Sequence, residues 1–356
     1  MIYDFILVGH GLAGSILAQT LVAHNFTVLV IDEPKANSAS NVAAGLMNPL
    51  AGKRFAKSWL ADVLVPFATN FYQALEQDRQ IKLFHAKPIL KLFSSVEEQN
   101  NWMGKSAGQP YGDFIKAVYT SLPSSKIIKQ EQGGILIDKG GYVHVSLLLE
   151  NLQQIRIEQK ELVTDRFDFN YLTLTDSGVQ YKEWQAQNII FCEGFQAALN
   201  PYFSWLPFSL NKGEVLIIKT TEQLATEQVY NKGVYVVPQP DGAFKVGATY
   251  NWRTVDEMPT EAGKEELFNK IKDILKVPFT VVDHKAGIRP AVRDRRPLIG
   301  IHPKHERIKI FNGMGSKGVM MAPYLAHHFV QVLKGAEELL PEINILRYIT
   351  LYREHY

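Results

Sequence analysis

The chain has 356 residues, 46% of them hydrophobic, with 38 basic against 36 acidic side chains and a formal charge of +2. That length exceeds what one hydrophobic core organises, so two domains are expected. The near balance of charge gives no general argument for nucleic acid or an anionic membrane, and a small neutral or zwitterionic ligand fits better.

A single cysteine, Cys192, excludes an internal disulfide and a cysteine-rich metal site; no metal is expected, and a reducing cytoplasm is the natural compartment. The N-terminus enters its first strand without the basic region and cleavage site of a signal peptide. No apolar stretch approaches the roughly 20 residues of a membrane span.

Tyr3 to Val8 is an apolar run of strand type. Gly9-His10-Gly11-Leu12-Ala13-Gly14 follows at once, and Ser15 to His24 then carries Ile16, Leu17, Ala18, Leu21 and Val22 at helical spacing. A second strand, Thr27 to Ile31, ends in Asp32, close to the roughly 20 residues beyond the turn where a dinucleotide fold places an acid. Gly9 permits the tight turn, Gly11 leaves room for a pyrophosphate, and Gly14 lets the helix lie close on the strand. The phosphates would sit on the positive helix end, with Leu12 and Ala13 in its first turn. Asp32, with Glu33 beside it, would accept hydrogen bonds from ribose hydroxyls and repel a 2′-phosphate, which disfavours NADP. His10, at a variable position, reads as a surface residue without a catalytic role.

Lys35 to Leu50 is rich in small side chains, including Ala43, Ala44 and Gly45 before Leu46, which suggests backbone packed against a flat cofactor. Asp62 to Gln77 reads as a core helix. Residues 80–130 lack βαβ rhythm, so the chain leaves the nucleotide domain there. It resumes with Gly133 to Asp138, a helix from Val143, a strand pair that includes Leu162, and a buried strand from Asn188 to Cys192 closed by Glu193-Gly194. From Gly213 the pattern turns antiparallel, with strands at 214–219, 234–237 and 244–250, the last two joined through Pro240-Asp241-Gly242. An amphipathic helix over 261–276 and a strand over 279–287 follow. Lys309 to Asn312 then runs into Gly313-Met314-Gly315-Ser316-Lys317-Gly318 and a long helix to about Leu333, a second strand, glycine turn and helix.

A nicotinamide enzyme has no need of that second turn, whereas a flavoprotein does, because a positive helix end near the pyrimidine side of the isoalloxazine stabilises the anionic reduced flavin. Four more segments accompany it: Ser40 to Pro49, Asn211-Lys212-Gly213-Glu214-Val215, Val246-Gly247-Ala248-Thr249, and Gly287-Ile288-Arg289-Pro290-Ala291-Val292-Arg293-Asp294-Arg295-Arg296-Pro297-Leu298-Ile299-Gly300. In these, over almost its whole length, the chain resembles the D-amino acid oxidase superfamily of FAD-dependent oxidoreductases, particularly its glycine oxidase and sarcosine oxidase branch.

The resemblance implies an α/β plus α+β fold, with a Rossmann-like FAD-binding domain (1–80, 131–205 and 286–356) and a mostly antiparallel-sheet substrate domain (81–130 and 206–285). It implies non-covalent FAD held by Gly9, Gly11, Leu12, Ala13, Gly14, Asp32, Glu33, Ala43 to Leu46, Leu162, Gly194 and Gly313 to Gly318, since residues 311–320 lack a linking cysteine. Arg289 takes the place of the arginine that holds a substrate carboxylate, and Tyr235 and Tyr250 would line the same pocket. Arg293, Arg295 and Arg296 read as a solvated, domain-bridging cluster.

The implied activity is oxidation of the C–N bond of a small amino acid or secondary amine by hydride transfer to flavin in a dry cleft between the domains. Met314 and Lys317 leave the electron acceptor open between oxygen and a carrier. Three rivals stand beside this reading: oxidation of a modified tRNA base, a nicotinamide-dependent dehydrogenase, and a flavin-binding protein without catalysis.

Overall fold

The computed structural model describes residues 2–51, 56–106, 113–222, 224 and 226–355. Residues 107–112 of the stretch 80–130 thus lie outside the described residues. The chain divides into two compact units, 1–41 with 145–211 and 288–356, and 42–144 with 212–287. This division assigns 42–80 and 131–144 to the second unit, where the sequence division had put them with the first. The reason is a small sheet in which Leu46–Met47 and Phe84–Ala86 pair antiparallel with Gly141–Val143, through Tyr142 opposite Leu46 and His85.

The first unit is built on a parallel sheet in the order Leu162–Thr164, Val28–Asp32, Ile2–Val8, Trp184–Phe191 and Ile308–Asn312. Its strands are apolar on both faces because both are covered. Register places Val8 beside Ile31 and beside Phe191, and Phe191 beside Ile310, so the carboxyl ends of four strands share one edge. The long strand Trp184–Phe191 divides its outer side, pairing at Ala186 with Val179 and at Ile189 with Ile308. Helix Leu12–Ala23 packs against Gly318–Leu333 and Val145–Glu158, burying Ile16, Leu17 and Leu21. A core of Ile6, Val8, Ile31, Phe191, Phe203, Trp205 and Leu298 fills the sheet's surroundings.

The second unit holds a sheet of eight strands in the order Phe279–Arg289, Asn211–Thr220, Phe244–Gly247, Tyr235–Pro238, Val229–Asn231, Ile89–Leu92, Gly134–Ile137 and Ile115–Tyr119. Its pairing is mostly antiparallel, with a parallel contact between Val229–Asn231 and Ile89–Leu92. Helix Glu261–Lys272 buries Leu267 and Ile271 among Leu216, Ile218, Val236 and Val246. The carboxylate of Glu214 meets the start of this helix, accepting from Thr260 N at 2.9 Å and Thr260 Oγ1 at 2.8 Å. Gly263 makes the approach possible, since a Cβ there would stand 2.4 Å from Glu214 Oε2. Lys212, fully buried, bridges Asp256 at 2.6 Å and Glu214 at 3.7 Å. No described helix is long and apolar enough to cross a membrane.

Candidate active site

At the carboxyl edge of the parallel sheet three loops of the first unit meet. Gly9 takes φ +99°, and a Cβ on it would stand 2.7 Å from the Cys192 carbonyl oxygen and 3.3 Å from Glu193 Cα. A Cβ on Gly14 would stand 2.0 Å from the Gly9 carbonyl oxygen, so the helix start and the strand end are packed backbone to backbone. Gly11 is the extended cap of helix Leu12–Ala23, and Ser40 Oγ accepts from Leu12 N at 3.0 Å. Ala13 and Gly14, in that first turn, have no carbonyl one turn earlier to bond.

The second glycine turn lies against the first. A Cβ on Gly318 would stand 2.8 Å from Leu12 Cδ2, so the two helix starts touch. Asn312 donates to the Gly194 carbonyl at 2.9 Å and accepts from Gly313 N at 2.7 Å, joining the third loop. Gly194, Gly313 and Gly315 have φ of +60°, +76° and +56°, which favour glycine. Met314 is buried, Ser316 exposed and Lys317 half-buried at the cap of helix Gly318–Leu333. Burial, then Arg296 and Arg295, hold the Lys317 ammonium below its ordinary value.

Asp32 ends its strand with Oδ1 accepting from His10 N at 2.8 Å; among the described residues no other donor to that carboxylate is seen. Burial holds its carboxyl above the ordinary value against the pull of the His10 N–H and Lys35. Glu33 is half-exposed and 3.8 Å from Lys35, and Leu162 pairs with Val30 two residues before Asp32. His10 corrects the sequence expectation: it is 7% exposed, buried near Arg156, and its imidazole is held down to about 4 by that burial and that charge. Its carbonyl accepts from Ser15 Oγ at 2.8 Å.

These features fit a dinucleotide: a glycine turn that backbone contacts forbid to other residues, two helix starts at one edge, and an acid beyond the second strand. They are a cradle for a pyrophosphate and a ribose.

The other sequence-derived residues fall as follows. Ala43, Ala44, Gly45 and Leu46 belong to the second unit, where Gly45 (φ +69°) lies on the backbone of Val143 and its carbonyl accepts from Val143 N at 2.9 Å. Lys245 donates to the Ala43 carbonyl at 2.9 Å, and burial lowers its ammonium to about 8. In the same unit Tyr235 OH accepts from Asn48 Nδ2 at 3.0 Å, and burial pushes the phenol up to about 12. Tyr250 is 56% exposed and stacks on Trp252, itself 58% exposed, with ring centroids 5.9 Å apart. Arg289, in the first unit and half-buried, donates from Nη1 to Asn211 Oδ1 at 2.5 Å. Arg293 and Arg295 are exposed, and Arg347 pairs with Asp294 at 2.9 Å.

Sequence reasoning missed Ser40, Asn48, Asn211, Lys245 and Asn312 as supporting groups. Ser40, Asn48, Asn211 and Asn312 lay inside segments already singled out. Lys245 had a signal in being a cation within an apolar strand, between Phe244 and Val246.

A parallel sheet with paired glycine turns, in one chain with an antiparallel-sheet unit, is the framework of a dinucleotide-binding protein. The chain belongs to the DAO family, FAD dependent oxidoreductases, whose model matches residues 4–332. It is therefore an FAD-dependent oxidoreductase. It is 22% identical over 350 residues, 91% of this chain, to the tRNA 5-methylaminomethyl-2-thiouridine biosynthesis bifunctional protein MnmC of Marinobacter nauticus, and spans about half (54%) of that protein. It is 33% identical to the glycine oxidase of Pseudomonas putida over 137 residues, 38% of either chain. The crystal structure of glycine oxidase from Geobacillus kaustophilus shares the fold, with a TM-score of 0.78 at 20% identity, covering 95% of this chain and 96% of that one.

Proposed function

We propose that the protein oxidises the C–N bond of a small amino acid or secondary amine that carries a carboxylate. The observation that carries this is Arg289, a half-buried guanidinium whose orientation Asn211 fixes, in a chain of an FAD-dependent family. A planar fork of donors suits a bidentate grip on a carboxylate.

Gly9, Gly11, Leu12, Ala13 and Gly14 would hold the FAD pyrophosphate, Asp32 with Glu33 the ribose, Leu162 and Gly194 the adenosine side, and Gly313 to Gly318 with Ala43 to Leu46 the flavin. FAD is held without a covalent link, since Cys192 is buried under the first turn and burial pushes its thiol up. Bound FAD supplies a two-electron acceptor for the hydrogen leaving the substrate carbon.

The residues of this chain supply placement. Arg289 fixes the carboxylate and so the adjacent carbon. Asn48 holds the Tyr235 hydroxyl, which keeps the phenol's proton as a donor because burial disfavours the phenolate. As the C–H bond breaks, the nitrogen lone pair forms C=N, and water then converts the imine to an oxo acid and an amine. No side-chain base is required when the amine binds unprotonated. Lys245 holds the Ala43 carbonyl and so the segment around it. The acceptor that reoxidises the flavin is oxygen or an electron carrier.

The test is anaerobic loss of flavin absorbance near 450 nm, the usual flavin band, against glycine, sarcosine, D- and L-amino acids and proline. Bleaching by one class supports the reading; no bleaching by any of them, with FAD bound, ends it. A second reading, the amine of a modified nucleoside in tRNA, is favoured by the exposed Tyr250–Trp252 pair, because aromatic rings on a surface stack bases. Bleaching by tRNA and not by amino acids would establish it.

A further inference from the structure

Asn211 is the first residue of strand Asn211–Thr220 and is 2% exposed. Its Oδ1 accepts from Arg289 Nη1 at 2.5 Å. A guanidinium has donors only, so the amide oxygen must be the atom that faces it, and the orientation of the amide is thereby fixed. The NH₂ end is turned elsewhere, and there Asn211 Nδ2 is buried with no hydrogen-bond partner among the described residues. A buried donor left in that state is costly, which is why such groups normally have acceptors.

The chemistry around Nδ2 says what the acceptor is. Arg289, a cation, adjoins the same amide, and its charge favours an anionic oxygen as the acceptor for Nδ2. Resting on the reading of Arg289 as a carboxylate anchor, we propose that Asn211 is the second donor of that anion site. Oδ1 holds the guanidinium in place, and Nδ2 donates a hydrogen bond to a carboxylate oxygen of the substrate. One residue thus fixes the charged donor and adds a neutral one, and an ammonium or an apolar group at that position meets donors only. No sequence period signals this, because Asn211 and Arg289 are joined by a contact across 78 residues.

The experiment titrates the FAD-loaded protein with acetate, followed by the change in the flavin spectrum, in wild type, Arg289→Gln, Asn211→Leu and Asn211→Asp. Asn211→Asp has the shape of the native side chain and keeps an acceptor toward Arg289, but it replaces the Nδ2 donor with an acceptor. All three variants are expected to bind acetate at least about ten-fold more weakly, with Asn211→Asp the weakest of the Asn211 pair. In crystals of the wild-type holoenzyme with acetate, a carboxylate oxygen is expected within about 3.2 Å of Nδ2. Unchanged affinity in the folded Asn211 variants, beside a loss in Arg289→Gln, overturns the role of Asn211 and leaves that of Arg289 standing. Unchanged affinity in Arg289→Gln, or a wild type indifferent to acetate, overturns both. A water or a flavin oxygen on Nδ2 with acetate elsewhere overturns the Asn211 assignment alone, and because it is read on the wild type it holds even where a variant fails to fold.

Discussion

Gly14 lies so close to Gly9 that a Cβ on Gly14 would stand 2.0 Å from the Gly9 carbonyl oxygen. Both partners are backbone, so no rotamer change relieves the overlap, and the first helix must lift from its strand. Gly14→Ala is therefore expected to destabilise the chain by more than about 3 kcal/mol. It is also expected to leave the purified protein without flavin. Absorbance at the flavin band and a denaturant midpoint check both, and an alanine variant that retains FAD with wild-type stability contradicts the packing.

Lys212 is fully buried between Asp256 at 2.6 Å and Glu214 at 3.7 Å. Its backbone also pairs with Asn251, in the segment that carries Tyr250 and Trp252. Lys212→Met leaves the Glu214 carboxylate with Thr260 and His284 and without its cation. Removing one partner of a buried pair costs about 3–5 kcal/mol. A loss of that size in urea unfolding is expected, and a change below about 1 kcal/mol would mean that the pair is solvated.

The opening of the chain was legible because its signals are local. Strand, glycine turn, helix and acid fall within 33 residues, and each has a period or a steric requirement of its own. The placement of 42–80 and 131–144 was not, since it depends on Leu46 meeting Tyr142, a pairing of two short strands almost a hundred residues apart. His10 is 7% exposed although it stands between two glycines of the turn, and no period in the turn marks that burial. The Asn48–Tyr235 contact spans 187 residues and leaves no pattern in either segment.

Glu193 follows the end of strand Trp184–Phe191 at the cradle, and burial pushes its carboxyl from 4.5 up to about 7 despite the hydrogen bond from Asn200 Nδ2 at 2.7 Å. The folded state therefore holds the proton more tightly than the unfolded one. The stability this group contributes is fully present below pH 4.5 and is lost as pH rises through about 7. Glu193→Gln keeps an oxygen for Asn200 and has nothing to titrate. The variant is expected to match the wild type near pH 4 and to exceed it at pH 8 by up to about 3 kcal/mol. Parallel pH dependences in the two proteins would show that the carboxyl is solvated.

Lys245 behaves with the opposite sign. Burial lowers its ammonium from 10.5 to about 8, with Lys285 adding to the effect, so between those values the unfolded chain binds the proton and the folded one does not. Wild-type stability should therefore rise as pH goes from 8 to 10.5, on the order of 3 kcal/mol for this residue. Lys309, also lowered to about 8 by burial, contributes in the same direction. Lys245→Met removes one of the two contributions and leaves the other, so the slope should shrink without vanishing. The variant also loses the donor to the Ala43 carbonyl. If that segment touches the flavin, FAD should bind several-fold more weakly, as measured by flavin fluorescence on dilution. A shallower pH slope with unchanged FAD affinity would confirm the buried lysine and remove Ala43 from the cofactor contacts; an unchanged slope would place the Lys245 ammonium in water.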